Sequence, residues 1–168
     1  LESDPGVEHI VGVDLEEPPI PIEGLEFVRV DIRNPLIARV LEATKIDTLI
    51  HTNVASTPGV MGGRSQMKEI NVIGTMQLLA AAQRAERINR VVVKSSAAIY
   101  GTHPAEPSLI PEDYASRPVS LHGYAKDCAE AEQYTRDFGR RRRDVELVIL
   151  RTQNVVGPTV KTSMTRFL

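Results

Sequence analysis

The sequence RVVVKS at residues 90–95 decides the fold of this 168-residue chain. Its three consecutive β-branched valines are typical of a short strand that is buried within a sheet. A stretch with apolar residues at helical spacing precedes it at residues 65–85, and a second predicted helix follows at residues 121–138. A buried strand between two helices is the repeating unit of a parallel α/β sheet.

The same alternation extends along the rest of the chain. Short apolar runs predict further strands at residues 9–14, 25–31, 46–50 and 146–151, and Asn34-Pro35 predicts the start of a helix that continues through Leu41. Strands and helices that alternate in this way predict an α/β fold with a doubly wound parallel sheet, right-handed crossovers and helices on both faces.

Composition excludes several classes of protein. Hydrophobic residues make up 42% of the chain, which is normal for a domain with a core, and the net charge of −2 leaves no basic excess for nucleic acid. The single cysteine, Cys128, cannot form an internal disulfide, which favours a reducing compartment, and we expect a cytoplasmic protein. No apolar run approaches the roughly 20 residues that span a bilayer, so neither membrane insertion nor export is expected.

Two charged features have two interpretations each. The basic run at residues 140–143 lies at a predicted helix C-terminus, which favours a solvated helix end over a phosphate or partner patch. Asp14 ends a predicted strand, where an acid can bind the adenosine ribose of NAD and repel the 2′-phosphate of NADP. Asp14 could equally be a turn residue before Pro18. The Gly-rich loop that should accompany a ribose-binding acid would fall before Leu1.

Four stretches together resemble the extended short-chain dehydrogenase/reductase family, in its NAD-dependent epimerase/dehydratase group. They are VDIR at residues 30–33, NVIGT at 71–75, SSAAIYG at 95–101 and LRTQNVVGP at 150–158. The resemblance implies that residues 1–168 form a single partial Rossmann-like NAD-binding domain. It also implies that the first strand with its Gly-rich loop and most of the C-terminal substrate domain are lacking.

The resemblance assigns several residues to the cofactor. Asp31 and Ile32 match the pair that contacts the adenine ring, although Asp31 could instead cap the helix that begins near Pro35. Asn71 matches the asparagine that holds the long helix against the cofactor-bearing loop, and an asparagine inside a helix needs such a partner. Asn53 and Val54 stand where the family has small residues that let the backbone approach the cofactor closely. The resemblance therefore implies that Asn53 and Val54 contact the cofactor through their backbone atoms.

The resemblance also assigns the reacting groups. Ser96 matches the residue that hydrogen-bonds the reacting sugar hydroxyl, with a loop-capping serine as the alternative, and Tyr124 matches the catalytic tyrosine. The family has a lysine four residues after that tyrosine, where this chain has Cys128. A lysine one helical turn away would lower the pKa of the phenol, whereas a thiol does not.

Two basic residues close to Tyr124 differ in what they offer. Lys126 is two positions further along, about 200° around the helix, so we expect it to point away from the site. His122 is a second candidate base, because an unperturbed imidazole pKa of about 6.5 suits proton transfer near neutrality. A solvated loop histidine is the alternative.

Beyond the last strand, the resemblance implies that Asn154 reaches the substrate and that the Gln153 backbone contacts the nicotinamide. A turn asparagine is the alternative for Asn154. We therefore expect an NAD-dependent epimerase or dehydratase that acts on a nucleotide sugar. The predicted helices at residues 65–85 and 121–138 would pair with their copies in a homodimer. A non-catalytic NAD-binding or interaction module is the alternative function.

Overall fold

The computed structural model describes residues 1, 3–52, 54–56, 62–101, 107, 109–112, 114, 121–153 and 157. Two parallel sheets form within them. The first pairs two strands, β1 (Ile10–Asp14) and β2 (Leu25–Arg29). The second has the order β3-β4-β5, formed by β3 (Thr48–His51), β4 (Arg90–Ser96) and β5 (Glu146–Thr152). Every described strand pair is parallel, as the sequence predicts.

Helices connect these strands, with bounds that differ from the predicted ones by a few residues. They are α1 (Leu36–Thr44), α2 (Arg64–Lys68), α3 (Thr75–Ala82) and α4 (Gly123–Arg141). A π-helical segment (Glu69–Gly74) joins α2 to α3, so the helix predicted at residues 65–85 is not a uniform α-helix. Such widened turns are frequent at functional sites. Among the described residues, no helix is long and apolar enough to cross a membrane.

Asn34 provides the side-chain contact at the start of α1. Its Oδ1 accepts a hydrogen bond from the N–H of Leu36 at 3.0 Å. The alternative role of Asp31 as the helix cap is therefore wrong, because the carboxylate of Asp31 is bound to Arg33 instead. The helix ends at Thr44, because the next residue, Lys45, has a φ of 53° that breaks the helical path.

The core lies between the helices and one face of the β3-β4-β5 sheet. Leu49, Val91 and Val93 from the strands are each 8% exposed or less. They form one cluster with residues of α1, α3 and α4. On the opposite face Ile50 is 44% and Leu150 is 49% exposed, so the described helices cover one face rather than the two expected. Right-handed crossovers that advance in the same direction across a sheet place their helices on the same side.

A wide groove separates the two sheets. It lies between β1 and β3, has a volume of about 1510 Å³, and is lined by residues that include Val13, Asp14, Leu49 and His51. Dinucleotide-binding sheets have the strand order 3-2-1-4-5, in which the first strand lies between the second and the fourth. The groove therefore lies where the sequence analysis predicts the first strand and its Gly-rich loop.

Arg142 departs from the expectation of a fully solvated basic helix end. Its side chain is 13% exposed and pairs with Asp144 at 2.8 Å. The guanidinium also donates to the carbonyl oxygens of Ala82 at 3.2 Å, Ala85 at 3.3 Å and Ile88 at 2.9 Å. Arg142 thus ties the end of α4 to the turn that follows α3, where the carbonyls of Ala82 and Ala85 also accept backbone hydrogen bonds.

Candidate active site

Ser96 is the last residue of β4, at the carboxyl end of the middle strand of its sheet. Its Oγ accepts a hydrogen bond from the N–H of Ala98 at 3.2 Å, at the start of a 3₁₀ helix (Ala97–Tyr100). The capping interpretation of Ser96 is therefore correct for the backbone. The same hydroxyl also hydrogen-bonds the phenol of Tyr124. Because Ser96 is only 9% exposed, these two contacts hold its hydroxyl in a defined position.

Tyr124 lies in the first turn of α4, directly after Gly123, whose φ of 57° favours glycine. The phenol is partly buried and hydrogen-bonds Ser96 and Cys128. Burial and the contact with Cys128 raise the pKa of Tyr124 to about 12, while the hydrogen bond from Ser96 opposes the rise. The phenol is therefore harder to ionise than the unperturbed tyrosine, with a pKa of about 10, that the sequence analysis assumed.

Cys128 lies one helical turn after Tyr124 and is 3% exposed. Burial raises the pKa of its thiol to about 11. The hydrogen bond with Tyr124 and the charge of Lys94 act against that rise, whereas the charges of Asp127 and Glu132 add to it. The thiol is thus neutral near pH 7 and brings no positive charge to the phenol.

Asp127 anchors the first turn of α4 to the start of α2. Its side chain is fully buried and receives two hydrogen bonds from Arg64, at 2.6 and 2.8 Å. Arg64 also donates to the carbonyl of Gly123 at 3.0 Å. The amide of Asn71 donates to the same carboxylate at 3.4 Å. Since a buried carboxylate needs such partners, this network fixes the backbone turn that carries Tyr124.

Asn71 has the partner that its place inside a helix predicts. Its Oδ1 accepts from the N–H of Ala55 at 2.7 Å, and its Nδ2 donates to the carbonyl of Ala55 at 2.8 Å. The π-helical segment is thereby tied to the loop after β3. Val54 precedes the anchored residue and borders both the groove and the interior of the site. Asn53 lies outside the described residues.

Glu132 connects β4, β5 and α4 behind the site. Its carboxylate accepts from Ser95 Oγ at 2.6 Å and from Arg151 at 2.8 and 3.0 Å. Arg151 in turn donates to the phenol of Tyr100 at 2.6 Å. The arginine and the serine hold the pKa of Glu132 below its usual value against the effect of burial.

The predicted adenosine-binding acids lie at the carboxyl end of the β1-β2 sheet. Asp14 is exposed beside the groove, and its Oδ1 accepts from the N–H of Leu15 at 2.6 Å. The guanidinium of Arg33 pairs with Asp31 at 2.5 Å and holds its pKa below the usual range. Ile32 is 5% exposed and packs against the π-helical segment, so its side chain belongs to the core.

The residues that flank Tyr124 or follow β5 are exposed. Lys126 points away as expected, since its side chain is 56% exposed and pairs with Glu130 at 3.9 Å. His122 is exposed directly before α4, and Gln153 is exposed directly after β5. Asn154 lies outside the described residues. The cofactor and substrate roles of these residues stay predictions.

The structure adds residues that the sequence analysis missed. His51 ends β3, bonds Thr75 Oγ1 at 2.8 Å, and has its pKa lowered to about 4 by burial. Glu132 had a sequence signal, because it lies four residues after Cys128 on the same helix face. Arg64 had none, because its partner Asp127 is far away in the sequence. Within the described parts of the chain, no cluster of histidine, cysteine and carboxylate side chains could hold a metal ion.

Comparison with known families identifies the chain. The model of the NAD dependent epimerase/dehydratase family matches residues 3–168. The chain belongs to this family. The resemblance inferred from the four sequence stretches is therefore confirmed.

The family is represented among both curated sequences and solved structures. An uncharacterised protein of Mycobacterium tuberculosis is 40% identical over 172 aligned residues, which cover 100% of this chain and 46% of that protein. The structure of MoeE5 in complex with UDP-glucuronic acid and NAD is 28% identical, with a TM-score of 0.74 over 94% of this chain and 50% of that one. The Bordetella bronchiseptica enzyme WbmH in complex with NAD⁺ is 22% identical, with a TM-score of 0.73 over 95% of this chain and 52% of that one.

These matches confirm the Rossmann-like α/β fold predicted for a member of the epimerase/dehydratase family. The chain spans about half the length of these curated relatives. Ser96 and Tyr124, the predicted reacting pair of this family member, are in hydrogen-bond contact at the carboxyl edge of the sheet. Position 128 remains the departure from the family pattern, because a buried neutral thiol stands where that pattern has a cation.

Proposed function

We propose that the protein containing this chain binds NAD and modifies a nucleotide sugar, by epimerisation or dehydration. Tyr124 moves the proton and Ser96 orients the reacting hydroxyl. The contact between the two hydroxyls, beside the carboxyl end of β4, carries this proposal. Ligands of parallel α/β sheets bind at that edge. The NAD-dependent family to which the chain belongs gives further support.

The described residues fit NAD. The exposed Asp14 carboxylate, at the carboxyl end of β1, can accept hydrogen bonds from two ribose hydroxyls. Asn71 holds the loop after β3 in place through Ala55. Bound NAD would accept a hydride from the sugar and return it. We propose further contacts from Asp31, together with those that the resemblance assigns to Ile32, Asn53, Val54, Gln153 and Asn154.

Residues of this chain transfer the proton of the reacting sugar hydroxyl. A tyrosinate oxygen takes the proton of the reacting hydroxyl while a hydride leaves the adjoining carbon, and the proton returns in the reverse step. Ser96 is placed to hydrogen-bond both this hydroxyl and Tyr124, since its position is fixed by Ala98. The difficulty lies in forming the tyrosinate, because the pKa of Tyr124 is raised to about 12.

A non-catalytic NAD-binding module is the second candidate. Cys128 favours it, because the thiol is neutral and its contact with Tyr124 raises the phenol pKa. Such a module would keep the fold and bind the cofactor without proton transfer.

The test compares two tyrosines of α4 in the full-length protein. Tyr124→Phe removes the proton-transferring hydroxyl, and we expect turnover of a UDP-sugar to fall by roughly 10²–10⁴-fold while NAD affinity, measured by calorimetry, stays unchanged. Tyr134→Phe is the matched control, because Tyr134 is 38% exposed and outside the site. We expect it to retain full turnover.

Unchanged turnover in Tyr124→Phe would refute the role of Tyr124 and make His122 or a water molecule the better base. A full-length protein that binds NAD but converts none of a panel of nucleotide sugars would favour the module. Activity created by Cys128→Lys would then identify the lost lysine as the reason.

Assembly and location also belong to the proposal. We propose that residues 65–85 and 121–138 form a homodimer interface, and the apolar side chains of Ile73 and Tyr134, 37% and 38% exposed, support it. A cytoplasmic location and the lack of a nucleic-acid partner stay predictions from composition.

A further inference from the structure

Tyr124 lies in a helical turn that its own neighbours do not cap. Within the described part of the chain, the side chain of His122, at the N-cap of α4, makes no capping hydrogen bond. Gly123 has a φ of 57°, so the chain enters α4 through a conformation that favours glycine. Helix ends fray, and a start of this kind therefore needs a contact from another element to hold it.

Arg64, the first residue of α2, contacts this turn on both sides of Tyr124. Its Nη2 donates to the carbonyl of Gly123, directly before Tyr124, at 3.0 Å. Its two terminal nitrogens also donate to the carboxylate of Asp127, further along the same turn, at 2.6 and 2.8 Å. A planar guanidinium binds two carboxylate oxygens in a fixed geometry, so this one side chain sets both the position and the orientation of the turn.

Burial makes the contact with Asp127 restrictive. The side chain of Asp127 is 0% exposed, whereas that of Arg64 is 40% exposed. A carboxylate out of water needs its hydrogen-bond partners, because it cannot exchange them for solvent. The turn that carries Tyr124 therefore cannot shift away from α2 without leaving a buried charge unpaired.

Asp127 also joins this turn to the loop after β3. The amide of Asn71 donates to the Asp127 carboxylate at 3.4 Å. The same amide binds the backbone N–H and carbonyl of Ala55 at 2.7 and 2.8 Å, and Asn71 is 2% exposed. The turn of Tyr124, the start of α2 and the loop after β3 are thus connected by one buried hydrogen-bond network.

A second ion pair joins the same two helices farther from Tyr124. Lys68, the last residue of α2, lies 3.4 Å from Glu130 of α4, and their side chains are 47% and 33% exposed. Solvent screens a pair of this kind, so it contributes little to the position of α4. Lys68 and Glu130 therefore provide a control for Arg64 and Asp127.

We propose that Arg64 is a positioning residue for Tyr124 and holds its phenol against Ser96 for the proton transfer. This inference rests on the proposed function, in which Tyr124 moves the proton. The two hydroxyls are in hydrogen-bond contact, and Ser96 is fixed at the end of β4, so their geometry depends on where the first turn of α4 lies. Arg64 acts through that turn rather than on the substrate. A displacement of about 1 Å in a reacting group can cost roughly 10²-fold in rate.

The test removes the ion pair from the full-length protein without leaving a buried charge. Arg64→Met alone would leave the Asp127 carboxylate unpaired, whereas apolar replacement of both members of a buried pair is often tolerated. We expect Arg64→Met combined with Asp127→Leu to keep the wild-type urea midpoint and KM but to lower kcat by about 10- to 100-fold. The matched control combines Lys68→Met with Glu130→Leu, and its kcat should equal that of the wild type.

A second readout separates positioning from support of the fold. Hydroxyls that act as a unit give non-additive losses, so the contribution of Ser96 should shrink once Arg64 no longer holds Tyr124. Ser96→Ala should lower kcat by roughly tenfold in the wild type, and by less than about threefold when added to the Arg64→Met, Asp127→Leu protein.

A third readout needs no turnover. Amide hydrogen exchange, followed by mass spectrometry, reports local opening of a helix. Residues 124–130 should exchange faster in the Arg64→Met, Asp127→Leu protein than in the wild type or the Lys68→Met, Glu130→Leu control. Exchange in β4 should not change.

Arg64→Lys serves if the double variant does not fold, as judged by circular dichroism. A lysine keeps a positive charge beside Asp127 but lacks the fork that binds Gly123 and both carboxylate oxygens together. We expect it to fold, to exchange faster at residues 124–130, and to lose about tenfold in kcat.

The outcomes separate this inference from the proposed function. Full turnover in Tyr124→Phe would refute the proposed function. Loss of turnover in Tyr124→Phe, together with wild-type kcat and exchange in the folded Arg64 variant, would overturn only the role of Arg64. An undiminished effect of Ser96→Ala in that variant would also overturn it, because Arg64 would then support only the fold.

Discussion

Glu132 is the best place to test the packing of the site, because its carboxylate joins β4, β5 and α4. Its side chain is 6% exposed, and so is largely out of water, and Arg151, its partner at 2.8 Å, is 19% exposed. Replacing one member of such a buried pair leaves the other charged and unpaired, which costs about 3–5 kcal/mol of unfolding free energy. Glu132→Gln keeps the size and shape of the side chain, so the expected loss reflects charge rather than a cavity.

Arg136 offers a matched control at the same carboxylate. Its side chain is 50% exposed and approaches Glu132 at 3.4 Å. Solvent screens such a contact, so we expect Arg136→Gln to cost about 0–1 kcal/mol. Urea unfolding of the full-length protein, followed by circular dichroism, measures both variants.

The contribution of Glu132 to the unfolding free energy should depend on pH, in a direction set by the shift of its pKa. The pKa of Glu132 is lowered in the folded protein from a usual value of 4.5, mainly by Arg151 and Ser95 acting against burial. Its stabilising contribution is therefore complete above the unfolded-state pKa and is lost as the pH falls through the folded-state pKa. We expect the difference between wild type and Glu132→Gln to be largest at neutral pH and to shrink in acid. Equal losses in the two variants, or a difference that does not vary with pH, would refute this reasoning.

Three further predictions concern the cofactor, the helix ends and assembly. Asp14→Ala in the full-length protein should weaken the binding of NAD by about 1.5–3 kcal/mol in calorimetric titrations, and should reduce the preference for NAD over NADP. If the wild-type protein bound NAD and NADP with equal affinity, the role assigned to Asp14 would be wrong. Arg142→Ala should destabilise the protein by about 1–3 kcal/mol in urea unfolding, because the largely buried guanidinium no longer donates to the carbonyl of Ile88 in the segment after α3. Arg143→Ala should stay within about 0.5 kcal/mol, since its side chain is exposed. Tyr134→Glu should dissociate the proposed homodimer in light scattering, and a monomeric wild type at micromolar concentration would exclude that interface.

The parallel α/β fold could be predicted from local pattern. The valines of β4 and the helical spacing before them reflect burial that each residue carries in its own side chain. Element ends were less accurate, since α4 begins at Gly123 and ends at Arg141 rather than spanning residues 121–138. Helix ends depend on caps and on packing partners that a hydrophobic pattern does not contain.

The proposed reacting pair could also be located from the sequence, because Ser96 and Tyr124 lie in stretches that resemble a known family. The resemblance also revealed that Cys128 stands where a lysine is usual. It could not reveal that the pKa of Tyr124 rises to about 12, because that rise comes mainly from burial, which exists only in the folded chain.

Only the tertiary structure decided the electrostatic surroundings of the site. Arg64 and Asp127 are 63 residues apart in sequence, yet they form a hydrogen-bonded pair at 2.6 Å. Local sequence determines which residues prefer burial, helix or strand, whereas the charge that acts on a group depends on distances between elements and therefore on how the whole chain packs.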